Sequence, residues 1–314
     1  MASSGISRRR LFAAAGISAA TALSRRTLFA TNNGIVPTMV DAAAKAKITV
    51  QPLRRNITVL RGSGGNIAVL TGPDGKLLVD AGFAVSRPAI SNALTSINND
   101  PIKHLVNTHW HIDHTDGNDW LHSAGAAIVA HDNTRKHLSI ATRVEGWNYT
   151  FPAAPPGALP ETTFATDYEM RCNDTRIVLK HYPPAHTDSD ISVYFTDADV
   201  VHVGDTLWNG FYPFIDYSTG DSIDGSIRAA EANLAAITNN TIVIPGHGPV
   251  GGKSDVAEFG DMLVAVREKV AALKRQGKSL EEVVAAKPTA AFDAKWGQFL
   301  IAPAFFTSLV YQGV

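Results

Sequence analysis

The sequence predicts an α/β fold, two mixed β-sheets packed face to face with helices on the outside. Short β-branched runs cut by tight turns open the folded region, strands then alternate with helical stretches, and the pattern passes along the chain in two similar halves. A chain of 314 residues with 45% hydrophobic and 18% charged side chains has ample material for a core, which excludes a disordered protein.

The opening strands are Ile57 to Leu60, Asn66 to Leu70 and Lys76 to Val79. The last two are joined by Gly72-Pro73-Asp74-Gly75, where Pro fixes one dihedral and Gly supplies a positive one. After Asp80-Ala81-Gly82 a helix is expected from Arg87 to Ile97, a strand from His104 to Asn107, a helical stretch from Asn118 to Ala124 and a strand from Ala126 to Ala130. Thr175 to His181, Ile191 to Phe195, Val200 to Val203 and Thr241 to Ile244 read as further strands. Between the last two, Ile223 to Ile237 is an amphipathic helix with Ile227, Ala230, Leu234 and Ile237 on one face. Beyond His247, helices are expected at Val256 to Arg275, Leu280 to Ala286 and Gln298 to Val310. Ser139 to Asp167 fits no element. Rich in Pro and carrying Trp147, Tyr149 and Phe151, it is expected to be a long loop that closes over the site as a lid.

Residues 1–30 stand apart in composition. Ser7-Arg8-Arg9-Arg10-Leu11-Phe12 leads into an uncharged apolar run from Leu11 to Leu23, which resembles a twin-arginine export signal, and Ser24 to Ala30 nearly repeats its start. The run is shorter than the roughly 20 residues that a spanning helix needs, so the expectation is a periplasmic or secreted protein without stable membrane insertion. Residues 31–46 are expected to be a flexible linker, and 47–314 a single domain ending in helices through which copies could associate.

The 28 basic and 29 acidic side chains leave a net charge of −1, without the basic excess that binding nucleic acid requires. A small molecule is the expected partner. The single cysteine, Cys172, excludes an internal disulfide and a cysteine-cluster zinc site, so any metal must be held by His and carboxylates.

Such donors are concentrated in His109-x-His111-x-Asp113-His114, directly after a strand. In an extended segment residues i and i+2 point the same way, so His109 and His111 can grip one ion, while Asp113 and His114 fall at the following bend. Four nitrogen and oxygen donors within six residues exceed what one ion takes from so short a segment, and suggest two adjacent metals.

This segment resembles the signature of the metallo-β-lactamase superfamily, whose fold is a four-layer αββα sandwich, and the resemblance runs from Asn66 to about Pro249. It implies further ligands from three later loops, Pro184-Ala185-His186-Thr187-Asp188, Val203-Gly204-Asp205-Thr206-Leu207 and Pro245-Gly246-His247-Gly248-Pro249. His109, His111 and His186 would then hold one divalent ion, Asp113, His114 and His247 the other, and Asp205 both; Gly204 to Leu207 resembles the glyoxalase II branch most closely. Zinc is the default for a His-rich site, with iron or manganese compatible with the oxygen bridge, and the pair would generate a bridging hydroxide. The implied activity is hydrolysis of an ester, lactone or thioester bond in a small apolar substrate, with Asp113 among the catalytic groups. β-Lactam hydrolysis and an iron-dependent persulfide dioxygenase activity are the alternatives.

Asp80 matches a family position near the metal floor, either as an acceptor behind a ligand His or as a turn residue. His104, His122, His131, His137, His181 and His202 lack ligand spacing, and Gly62-x-Gly64-Gly65 reads as a turn. Trp110 and the loop Trp208 to Phe214 are expected to line the pocket. No Lys or Arg occurs from Thr206 to Ile227, which favours a neutral substrate unless a cation arrives from Lys287 or Lys295.

Overall fold

The computed structural model describes residues 34–314. The export signal expected over residues 1–30, and the first three residues of the expected linker, lie outside the described residues.

Helix α1 (Ile35–Ala43) is followed by β1 (Thr49–Pro52), β2 (Ile57–Arg61), β3 (Ile67–Leu70) and β4 (Lys76–Val79), an antiparallel meander. Helix α2 (Arg87–Ile97) leads to β5 (Ile102–Val106), a short helix α3 (Ile112–Thr115), α4 (Asn118–Ser123), β6 (Ala127–His131) and α5 (Asp132–Ser139). A hairpin of β7 (Thr142–Val144) and β8 (Tyr149–Phe151) precedes β9 (Thr162–Phe164), which pairs parallel with β6 and completes a sheet of order β1-β2-β3-β4-β5-β6-β9. The second sheet is β10 (Asp167–Cys172), β11 (Thr175–His181), β12 (Ile191–Phe195), β13 (Val200–His202) and β14 (Ile242–Ile244), antiparallel except for the last pair. Helix α6 (Ile223–Ala236) crosses between β13 and β14, and α7 (Lys253–Arg275), α8 (Leu280–Ala285), α9 (Asp293–Trp296) and α10 (Pro303–Gln312) close the chain.

Strands buried on both faces explain the layering. Ile57 and Val59 of β2, Leu70 of β3 and Val106 of β5 pack against Ile177, Leu179 and Val193 of the facing sheet. The alternate residues Leu60, Val69 and Leu105 turn outward onto Ile90 and Leu94 of α2 and Leu121 of α4. Val201 and Val243 of the second sheet likewise meet Phe259, Leu263 and Val266 of α7. The result is the αββα sandwich.

Three expectations need correction. Within the expected linker, residues 35–43 are helical: Ile35, Val36 and Ala43 are buried, and Pro37 falls in the first turn, where its missing N–H costs nothing. Ser139 to Asp167 is not a structureless loop. Its backbone is satisfied by the β7–β8 hairpin and by pairing of β9 with Val129 to His131. The helix expected from Gln298 begins only at Pro303, which occupies the first helical position and leaves 297–302 irregular.

Candidate metal centre

The predicted donors come from four loops at one end of the two sheets and meet in a buried cluster. His109, His111, Asp113, His114, His186, Asp205 and His247 are each less than 10% exposed. Ligand atoms of His109, His111 and His186 lie within 4.8 Å of one another, as do those of Asp113, His114 and His247 and those of His109, His114 and Asp205. Asp205 sits between the two triads: its Oδ2 is 3.3 Å from Nε2 of both His186 and His247, and its Oδ1 is 3.1 Å from Nε2 of His114. His247 Nε2 is also 3.2 Å from Asp113 Oδ2.

Four of the five imidazoles are oriented from behind. His114 Nδ1 is 2.7 Å from Asp80 Oδ2, and Asp80 also accepts from the Thr108 amide and hydroxyl at 2.7 and 2.8 Å. Asp80 fills both of its expected roles, for its φ of 67° also turns the chain off β4. His186 Nδ1 is 2.8 Å from the Phe214 carbonyl, His109 Nδ1 is 3.1 Å from the Thr108 hydroxyl, and His111 Nε2 is 3.2 Å from Asp216 Oδ2. Such contacts fix ring tautomer and leave the opposite nitrogen for the cluster. Glycines allow the close approach: a Cβ on Gly65 would overlap the His114 ring, and one on Gly246 the Asp205 carboxylate.

The cluster fits a metal centre by its unmet bonding. Nε2 of His109, His114 and His247 and Oδ1 of Asp205 are buried without a hydrogen-bond partner, the His114–Asp205 approach being close but misaligned. Stranded polar atoms of this kind are rare in folded proteins and costly, and a cation at their focus would relieve them. The charges agree. Burial holds His109 well below the ordinary imidazole range and takes His186 down to about 4. At His114 burial pulls the same way, but Asp205, Asp113 and Asp80 outweigh it and hold the ring well above its ordinary value. At His247 Asp205 and Asp113 likewise overcome burial and raise it to about 9.

Tryptophans enclose the cluster. Trp147 of the segment between β7 and β8 lies with its ring centroid 4.8 Å from His111, and Trp208 lies 4.2 Å from His247. Trp147 of this segment thus covers a donor, while none of Trp147, Tyr149 and Phe151 lines the neighbouring cavity. That cavity, of about 390 Å³, is bounded by Asp113, His247, Phe211, Phe299, Met39 of α1 and Arg61 of β2. Trp110 is absent from it. Between two of the donors, Trp110 packs on His111 and lines a separate cavity of about 320 Å³ with Phe151. Lys295 is paired with Glu258, and neither it nor Lys287 reaches the cleft.

The profile of the metallo-beta-lactamase superfamily matches residues 60–252. The chain belongs to this superfamily. Solved structures similar in fold include a stereoselective inverting sec-alkylsulfatase from Pseudomonas sp., 17% identical with a TM-score of 0.65, covering 88% of this chain and 52% of that one. This chain therefore spans about half the length of the alkylsulfatase. The metallo-beta-lactamase from Pontibacter korlensis is 18% identical with a TM-score of 0.55 over 69% of this chain and 99% of its own. The DIM-1 metallo-beta-lactamase is 17% identical with a TM-score of 0.55, covering 70% and 99%. The superfamily fold here carries a His/Asp cluster suited to metal binding.

The remaining histidines are accounted for by packing. His202 is buried, with Nε2 3.0 Å from the Asn66 carbonyl, and His137 pairs with Asp188 at 2.9 Å. Burial pushes the Cys172 thiol up to about 11, which keeps it protonated and unreactive. Sequence reasoning missed Asp216, Arg61 and Phe299.

Proposed function

We propose that this chain is a metal-dependent hydrolase that cleaves an ester, lactone or thioester bond of a small substrate with an apolar body. The observation that carries this reading is the adjacency of the stranded donor cluster to the mainly apolar 390 Å³ cavity, whose wall includes Asp113 and His247 themselves. His109, His111 and His186 would hold one divalent ion, Asp113, His114 and His247 a second, with Asp205 shared and zinc the metal suited to so many imidazoles. Metal held there would supply a water activated at neutral pH and a polarised scissile bond. The chain's own groups do the rest. Asp80, Asp216, Thr108 and the Phe214 carbonyl hold the rings in register, Trp147 and Trp208 keep bulk water from the donors, and the Asp113 carboxylate faces the substrate as the catalytic acid–base group. Phe211, Phe299 and Met39 would receive the apolar part.

The paired arginines at positions 8–9 and 25–26 support export by a twin-arginine route to the periplasm or beyond. Among the described residues no helix is long and apolar enough to cross a membrane.

An assay of metal-loaded protein against aryl and alkyl esters, lactones, thioesters, β-lactams and alkyl sulfates, with Asp205→Ala as control, tests the reading. Turnover of an ester, lactone or thioester that Asp205→Ala abolishes is the expected result. Turnover of β-lactams or alkyl sulfates alone would assign the cleft to those bonds instead. Iron with oxygen uptake and no hydrolysis would overturn it in favour of a dioxygenase.

A further inference from the structure

We infer that Arg61 makes this cleft selective for substrates that carry one anionic group on an apolar body. The inference rests on the reading of the cleft as the substrate site and specifies what enters it.

Side chains on a strand alternate in direction, so Arg61 continues the row of Ile57 and Val59, which point between the sheets. At the last residue of β2 that row runs out of the core and into the cleft, where Arg61 shares a wall with Asp113 and His247. Among the described residues lining the cavity, Arg61 is the only Lys or Arg, and Asp113 the only carboxylate. Asp113 is engaged by His247 at 3.2 Å and His114 at 3.6 Å. Among the described residues the guanidinium has no such counterpart: its Nε is buried without a hydrogen-bond partner, and no ion pair there involves it. The other walls are apolar, from Met39, Phe83, Phe211, Phe299 and Leu300. An unpaired planar cation in an apolar setting binds a carboxylate or sulfate by two parallel hydrogen bonds far better than an ammonium would.

This revises the preference for neutral substrates drawn from the absence of Lys and Arg over 206–227. The loop after Asp205 indeed supplies no cation; the end of β2 does.

Binding is measured by calorimetry on metal-free protein, so that it depends neither on turnover nor on coordination to a metal. The probes are 4-phenylbutyrate, octyl sulfate and the neutral 4-phenylbutyramide. Wild-type protein should favour one or both anions over the amide, with the preference weakening as salt is raised, and which anion gains identifies the group taken. Arg61→Met should reduce that preference about tenfold, the loss of a charge-assisted pair, and Arg61→Lys should restore part of it. No preference in wild type, or one that Arg61→Met leaves intact, overturns the inference. Failure of every ester assay with the binding preference preserved would instead remove the proposed reaction and keep the role of Arg61.

Discussion

Asp216 Oδ2 lies 3.2 Å from His111 Nε2, joining residues 105 positions apart. Asp216 is itself held by the Ser218 amide at 3.0 Å and the Thr219 hydroxyl at 3.2 Å, so His111 is fixed from outside the cluster by a carboxylate that cannot swing away. Asp216→Asn should loosen ring orientation and basicity. A 10–100-fold loss in metal affinity or turnover is expected, on the scale typical of such supporting groups. Competition with a chromogenic chelator measures it, and unchanged affinity and kcat would show that Asp216 is only a loop anchor.

Trp147 is packed against His111, Phe151 and Phe214, and is 6% exposed. Trp147→Ala should therefore cost about 3–5 kcal/mol of stability, as for other buried large-to-small changes. Metal should dissociate faster, while KM for a neutral ester changes little. Thermal melts and metal-release kinetics check both parts; a large rise in KM at unchanged stability would return this segment to the role of a substrate lid.

Asp221 gives a pH dependence away from the donors. Burial, reinforced by the nearby Asp190, pushes its carboxyl up to about 9 from 3.8, and its Oδ1 has no partner. The folded state then keeps a proton that the unfolded chain has lost. Both states are protonated below the unfolded value, so this group's contribution is most favourable there, and stability falls as pH rises from about 4 toward 9. Asp221→Asn removes the cost of the charge. It should raise stability at neutral pH by roughly 1–3 kcal/mol and flatten the decline. Denaturant melts at pH 5, 7 and 9 test it, and a variant less stable at all three would refute a protonated Asp221.

Export is read from Arg8, Arg9, Arg25 and Arg26, which lie outside the described residues. Changing all four to Lys preserves charge but removes the guanidinium groups, and should keep the protein in the cytoplasm. Cell fractionation decides it. Undiminished periplasmic protein in the quadruple variant would exclude a twin-arginine route.

The first part of the donor cluster was legible because its information is local: the spacing that brings His109, His111, Asp113 and His114 together lies within six residues. His186, Asp205 and His247 came instead from the resemblance to the metallo-β-lactamase superfamily. What escaped depends on chain return. Asp216 matters only because 208–216 folds back on His111, and Phe299 enters the cleft only because Pro303 delays α10. Helix α1 is only nine residues long, follows Gly34 and carries a Pro, which reads as linker until Ile35 and Val36 find the core. Arg61 could have been found: it is a charged residue in the register of an inward row.

Titration of chelated protein with zinc, following bound metal and ester hydrolysis at each addition, addresses the dinuclear hydrolase most directly. The seven donors, Asp205 shared among them, lead us to expect binding that saturates at two ions per chain, with hydrolysis appearing as they are taken up and vanishing on chelation. Hydrolysis that persists in metal-free protein, or binding complete at a single ion, would contradict it.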